Sequence, residues 1–255
     1  MISSTLKIKL IIYLYSVNLS KQRHIIASNI DISILVVTLN NPNTSTNFID
    51  RFLVSCQAYD IPVIIAFNKI DTYKGGDNDE SERMIKIYKK IGYSCELISA
   101  KYGNGIDGVI ELMKNKTCII SGHSGVGKST LINSISPKLK LKTKEISSSH
   151  NQGKHTTTYA EMFDLDANIR VIDTPGIKGF GVVDFEPHQI TDYFPEFFKL
   201  KSKCKFNNCL HIHEPKCAVK EALDVDEIAI SRYRSYLQIL DGEEEHYRTD
   251  NFEKE

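Results

Sequence analysis

The chain predicts an α/β fold: a mostly parallel sheet covered by helices on both faces, followed by a small helical module organised by a metal. Three observations carry this reading. β-branched apolar runs alternate with amphipathic stretches through the first half, the pattern of a parallel sheet with crossover helices. A glycine-rich loop, Gly122-His123-Ser124-Gly125-Val126-Gly127-Lys128-Ser129-Thr130, sits between an apolar strand and a helix. From Pro187 onward the composition turns to aromatic residues, lysine and a Cys/His cluster.

The 255 residues leave room for one medium domain and a small one. A hydrophobic content of 41% supports a core, and a formal net charge of zero confines any nucleic-acid contact to local patches. Of the six cysteines, Cys56, Cys95 and Cys118 stand singly in apolar segments and read as small buried hydrophobes. That usage suits a reducing cytoplasm. Lys7 and Lys9 precede a short apolar run, but no small-residue cleavage site follows. No stretch reaches membrane-spanning length, so the protein reads as soluble and cytoplasmic, with no membrane partner.

Taken in order, residues 1–20 read as an irregular strand and residues 32–39 as a buried one. A polar turn with Pro42 leads to a helix carrying Ile49, Phe52, Leu53 and Cys56 on one stripe. Residues 62–67 are a second buried strand, followed by a polar loop over 71–80. Met84, Ile87, Tyr88 and Ile91 mark the next helix, Glu96-Leu97-Ile98 a short strand, and Ile106, Val109, Ile110 and Met113 a third helix. Residues 117–120 form the strand before the glycine-rich loop, and 129–135 the helix after it. Lys138-Leu139-Lys140-Leu141-Lys142-Thr143-Lys144 alternates as an exposed strand would. Residues 159–165 and 169–172 read as a strand pair. A helix over 225–241, with Ile230, Tyr233, Leu237 and Leu240 on one stripe, is ended by Gly242.

Ligands of such sheets bind at the carboxyl ends of strands, and the motifs fall there. The loop Gly122 to Ser129 fits G-x-x-x-x-G-K-[ST], whose glycines let backbone N–H groups converge on phosphate oxygens. Lys128 is expected on the β- and γ-phosphates, and the Ser129 hydroxyl on Mg²⁺. Asn68-Lys69-Ile70-Asp71 follows the second buried strand and matches a guanine-reading turn. The Asp71 carboxylate would accept from the ring N–H and exocyclic amine of guanine, an arrangement adenine does not offer. Ser99-Ala100-Lys101 reads as the companion loop, whose backbone N–H meets the guanine carbonyl oxygen. Asp173-Thr174-Pro175-Gly176 fits Asp-x-x-Gly, with Asp173 near Mg²⁺ through water and the Gly176 N–H on the γ-phosphate. One of Thr156, Thr157 and Thr158 is expected to sense Mg²⁺, with Thr157 and Thr158 taken as the site candidates.

In the usual order the phosphate loop comes first and the base-reading loops last. Here the base-reading loops precede it. The chain therefore reads as a circularly permuted P-loop GTPase domain with a mostly parallel sheet, followed by a small zinc-binding helical domain. In that second part Cys204, Cys209, His211 and Cys217 give C-x4-C-x-H-x5-C, which suits a closed tetrahedral structural Zn²⁺ site. His213 is a spare neighbour. All four ligands lie outside the nucleotide motifs, so metal removal is expected to melt the module and leave nucleotide affinity largely intact.

This combination resembles the RsgA/YjeQ family, the circularly permuted, ribosome small subunit-dependent GTPases, from about residue 18 to about residue 241. The match rests on Asn68-Lys69-Ile70-Asp71, the loop from Gly122 to Ser129, His155-Thr156-Thr157-Thr158, Asp173-Thr174-Pro175-Gly176 and the Cys/His set. The resemblance implies a late assembly factor that binds the immature small ribosomal subunit and its rRNA and hydrolyses GTP to GDP on release. It implies Mg²⁺ with GTP and one structural Zn²⁺. Family members begin with an OB-fold barrel, which the roughly 20 residues before the GTPase elements are too few to build.

Ras-like enzymes orient the attacking water with a Gln just after Asp-x-x-Gly. Ile177 holds that place, so slow intrinsic hydrolysis is expected, with His155 the in-chain candidate to position water beside Lys128 and Gly176. Lys199, Lys201, Lys203 and Lys205, and the alternating lysines from Lys138, are read as RNA phosphate contacts. The competing reading is a GTP-sensing switch or zinc-dependent RNA-binding module with negligible turnover. The expected division is an N-terminal segment over 1–20, a GTPase domain over 21–186, a zinc domain over 187–242 and a disordered tail over 243–255, in a monomer. Residues 177–181 are expected to pass loss of the γ-phosphate on to the zinc domain.

Overall fold

A computed structural model describes residues 13–14, 24–25, 27, 29–141, 161–174 and 186–242. Near the N-terminus, β1 (Tyr13–Leu14) pairs antiparallel with β2 (His24–Ile25). The main sheet has six strands: β3 (Ile32–Val37), β4 (Val63–Phe67), β5 (Ser94–Leu97), β6 (Thr117–Ser121), β7 (Glu161–Leu165) and β8 (Ile169–Asp173). They lie in the order β5-β4-β3-β6-β8-β7, all parallel except the edge strand β7, which runs antiparallel to β8. The carboxyl ends of β4, β5, β6 and β8 therefore share one rim of the sheet, and that rim holds the motifs.

Alternation along the central strands divides the core. Leu35, Val37, Ile65 and Phe67 face α1 (Thr46–Gln57) and α2 (Asp77–Ile91). Ile34, Val36, Ile64 and Ala66 face α3 (Ile106–Met113) and α4 (Lys128–Ile135). Ile49, Phe52, Leu53 and Cys56 of α1 are all buried, as their spacing requires, and Cys95 and Cys118 are buried free thiols.

The remaining helices are α5 (Pro187–Ile190), α6 (Pro195–Lys201), α7 (Ala218–Asp224) and α8 (Ile230–Leu240). They enclose a third cluster of Phe194, Phe197, Val219, Tyr236 and the three clustered cysteines, and Val54 of α1 reaches into it. Contacts thus cross the boundary expected between residues 186 and 187.

Four local expectations change. The loop over 71–80 gives way to helix at Asp77, whose carboxylate accepts from the Lys74 N–H at 2.8 Å and from Asn40 at 2.9 Å. Three acidic residues in its first turn suit the helix dipole. β5 begins two residues earlier than the expected strand, at Ser94. Instead of the expected lysine strand, residues 137–139 turn, with the Leu139 N–H on the Ser136 carbonyl oxygen at 3.1 Å; Lys140 follows at φ 48°, and the Asn133 side chain bonds both the N–H and the C=O of Leu141 at 2.8 Å. Those bonds dock Leu141 on the core, where Leu139 also packs. Residues 142–144 lie outside the described residues.

The C-terminal helix begins at Ile230 rather than near residue 225, because Asp226 turns the backbone at φ 56°. Its buried face is Arg232, Ser235, Tyr236 and Ile239, and Ile230 is 50% exposed. The hydrophobic stripe misplaced that face because a charged residue, Arg232, sits at its centre. Gly242 follows with φ 67° and ends the helix as expected. Among the described residues, no helix is long and apolar enough to cross a membrane.

Candidate nucleotide site and metal centre

The phosphate loop leaves β6 at Gly122 and enters α4 at Lys128. Two of its glycines are obligatory. Gly122 has φ 145°, and a Cβ there would lie 2.3 Å from the Val36 carbonyl oxygen. Gly127 has φ 100°, and its Cβ would lie 2.5 Å from the Asn68 amide nitrogen. Ser124 and Gly125 are exposed at the tip, while Val126 is buried beneath.

The turn at 68–71, expected to read the base, is joined to this loop directly. Asn68 is buried, donates to the Val126 carbonyl oxygen at 2.8 Å, and accepts from the Ala100 N–H at 2.9 Å. One side chain thus spaces three loops. Lys69 takes a left-handed φ of 66°, uncommon outside glycine, and its ammonium group donates to the Gly125 carbonyl oxygen at 2.7 Å and to the Asn41 carbonyl oxygen. Burial lowers the Lys69 pKa, and the neighbouring Asp71 charge opposes this. Asp71 is exposed and accepts from the buried Ser99 hydroxyl, which ties the two loops together. Ile70 and Lys101 complete the two loops, with Lys101 exposed.

Lys128 folds back on its own loop. Its ammonium group donates to the carbonyl oxygens of Gly122 at 2.9 Å and His123 at 3.1 Å. Burial pushes its pKa down to about 8, against the pull of the Asp173 carboxylate. Asp173 is buried at the end of β8, opposite Ile120 in register, and Thr174 donates to the Ile120 carbonyl oxygen at 2.9 Å. Ser129 and Thr130 are half-buried at the start of α4. His155, Thr157, Thr158 and Gly176, like Thr156, Pro175 and the stretch 177–181, lie outside the described residues.

The sequence reading missed several residues around this site. Asn41 supplies a carbonyl to Lys69, and Phe48 of α1 stacks on His123 with ring centroids 3.8 Å apart. No motif marks them: a backbone carbonyl has no residue signature, and Phe48 looks like any core aromatic.

The ligand atoms of Cys204, Cys209, His211 and Cys217 all lie within 4.8 Å of one another. A tetrahedral zinc with bonds of about 2.3 Å needs sulfurs roughly 3.8 Å apart, so the set fits. The His211 Nδ1 faces Cys217 Sγ at 3.2 Å and Cys204 Sγ at 3.7 Å. Burial pushes the Cys209 thiol up to about 12 and the Cys217 thiol upward too, so ionised sulfurs in this cluster call for a cation. Glu214 organises the chain around the set by accepting from the N–H groups of Leu210, Ile212 and His213. His213 itself is exposed and stands apart.

Comparison with known proteins agrees with this geometry. The RsgA GTPase family model matches residues 13–183. A protein of Christiangramia forsetii named small ribosomal subunit biogenesis GTPase RsgA is 61% identical over 239 residues, covering 94% of this chain and 76% of that protein. A Bacteroides thetaiotaomicron protein named small ribosomal subunit biogenesis GTPase RsgA 2 is 54% identical over 230 residues, covering 90% and 74%. Among solved structures, YjeQ from Thermotoga maritima aligns with a TM-score of 0.74 at 37% identity, over 89% of this chain and 73% of that one. YloQ, described as a circularly permuted GTPase, aligns with a TM-score of 0.69 at 33% identity, over 84% and 68%. With the loops at 68–71 and 99–101 ahead of the loop at 122–129 on one rim of the sheet, and with that match across residues 13–183, the chain belongs to the RsgA GTPase family.

Proposed function

We propose that this protein binds GTP with Mg²⁺, hydrolyses it to GDP and phosphate, and acts in maturation of the small ribosomal subunit. The observation that carries the nucleotide reading is Asn68, which ties the guanine-reading turn to the phosphate loop and to Ala100. Gly122 to Thr130 would hold the phosphates, with Lys128 and Gly176 on the transferring group. Asn68, Lys69, Ile70, Asp71, Ser99, Ala100 and Lys101 would hold the base. Ser129 and Asp173, with Thr157 or Thr158, would hold Mg²⁺, and His155 would position water. The Ile177 side chain has no polar group to do so, which supports a low intrinsic rate.

The ribosomal part of the proposal rests on the relatives, which are named for small-subunit biogenesis. The zinc domain over 187–242, with Zn²⁺ on Cys204, Cys209, His211 and Cys217, is a fitting RNA contact. Phe198 and Phe206 are exposed there, with the Lys201 and Lys205 ammonium groups over their rings at 5.1 and 5.2 Å. The reading places a monomer in the cytoplasm, where small subunits are assembled.

The test is GTP hydrolysis with and without purified small subunits, alongside ATP as competitor. Stimulation by subunits and indifference to ATP support the proposal. Negligible turnover with and without subunits, with intact GTP binding, would favour a nucleotide-sensing switch instead.

A further inference from the structure

The turn between β3 and α1, and α1 itself, touch the nucleotide loops and the Cys/His module at once. The turn is closed in both directions: the Thr44 hydroxyl accepts from the Thr38 N–H at 3.1 Å, and the Thr38 carbonyl oxygen accepts from the Thr44 N–H at 2.9 Å. It presents the Asn41 carbonyl to Lys69, whose ammonium group also reaches the Gly125 carbonyl oxygen. The Ser45 hydroxyl caps α1 by accepting from the Phe48 N–H at 3.1 Å. Phe48 then lies on the His123 imidazole, with both residues buried.

Two residues further along, α1 presents Asp50 to the module. Arg232 of α8 donates to the Asp50 carboxylate at 2.5 Å and grips Glu196 of α6 through two nitrogens, at 2.7 and 3.2 Å. Tyr88 of α2 donates to the same Asp50 oxygen at 2.9 Å. Arg232 is 1% exposed and packs over the Phe194 ring at 4.5 Å. Burial alone would favour a neutral guanidine, but the Asp50 and Glu196 carboxylates hold Arg232 charged. Residues two apart on a helix point in different directions. So α1 stands between the phosphate loop and the module, and a rigid helix cannot shift at one contact without moving at the other.

We infer that Phe48 and Arg232 are positioning residues of the nucleotide site, and that α1 links docking of the Cys/His module to guanine-nucleotide binding. This rests on the nucleotide and zinc readings above. Linkage is reciprocal: if nucleotide favours the docked module, zinc tightens GDP by the same factor by which GDP tightens zinc.

The experiment measures the Kd of a fluorescent GDP in the zinc-loaded and zinc-stripped 255-residue chain, and the zinc Kd with and without saturating GDP. We expect both ratios to agree and to be roughly fivefold or more. The same measurements on Phe48→Leu, and on the paired variant Asp50→Asn/Arg232→Met, should bring the ratio toward one. Thermal melts and zinc stoichiometry identify any variant that has not folded, and Arg232→Lys, which keeps a charge for Asp50, should recover part of the ratio. Equal GDP affinity with and without zinc in the unmodified protein overturns the linkage. A ratio that survives both α1 variants overturns the route through α1. A zinc-loaded protein that binds no GDP at all overturns the nucleotide reading and this inference with it.

Discussion

Asn68 holds the Val126 carbonyl oxygen at 2.8 Å, so the residue that begins the turn at 68–71 also sets where the phosphate loop lies. In the proposed function, base and phosphate recognition would share this one buried amide. Replacing Asn68 with Ala leaves the Val126 carbonyl and the Ala100 N–H without that partner. Each orphaned buried group costs about 1–3 kcal/mol of stability, so the Tm should fall, and GDP affinity should fall with it as the phosphate loop loses its tether. Titration with fluorescent GDP checks this, and a melt separates lost affinity from lost fold.

Asp71 is the exposed carboxylate of the same turn and accepts from the Ser99 hydroxyl. Asp71→Asn should lower GTP affinity by roughly two orders of magnitude while raising that for xanthosine triphosphate. An unchanged GTP to xanthosine triphosphate preference would remove Asp71 from base recognition.

Lys128 yields a proton-linked expectation. Its folded pKa is about 8, below the ordinary lysine value of 10.5. The unfolded chain therefore holds more protons than the nucleotide-free protein between those values, and stability of that state should rise with pH across the window. Phosphate oxygens favour the charged ammonium, so GDP binding near pH 8.5 should take up a fraction of a proton. Calorimetry in buffers of different ionisation enthalpy reads the uptake directly. No uptake at that pH would mean Lys128 is already fully charged without nucleotide.

Removing zinc should melt the module, with protection from hydrogen exchange lost across residues 187–242. The sequence alone implied that nucleotide affinity would stay largely intact. The Asp50–Arg232 pair and the burial of Val54 in the module's core change that expectation to a measurable loosening. Breaking a buried pair by removing one partner costs about 3–5 kcal/mol, so Arg232→Ala should cost several degrees of Tm or more.

For the lysine-rich surface, replacing Lys199, Lys203 and Lys205 with Ala should weaken binding to small subunits and flatten its salt dependence, leaving GDP affinity alone. Each lost phosphate contact should reduce the log–log salt slope by roughly one. An unchanged slope would place the RNA contact elsewhere.

The phosphate loop was legible because its geometry demands particular residues at particular spacings. Gly127 must be glycine where the Asn68 amide comes so close, while Asp71, proposed to read guanine, is seen accepting from the Ser99 hydroxyl. The sheet was legible because buried strands such as β3 are continuous apolar runs. What stayed hidden depends on tertiary partners. Arg232 is polar by composition and buried by virtue of Asp50 and Glu196, which no periodicity reveals. Lys138 to Leu141 alternates as a strand does, yet Asn133 and the left-handed Lys140 make it a turn.

Ile32 meets Cys118 where β3 pairs with β6, so the strand bearing the phosphate loop joins a neighbour synthesised long before it. As the chain grows, β3, β4 and β5 leave first, together with α1 and α2, and the turns at 68–71 and 99–101 come with them. Until β6 follows, one side of β3 has no strand to pair with, and an open strand edge is a template for wrong partners. The order of the elements thus makes β3 the seam between an earlier and a later half of one sheet.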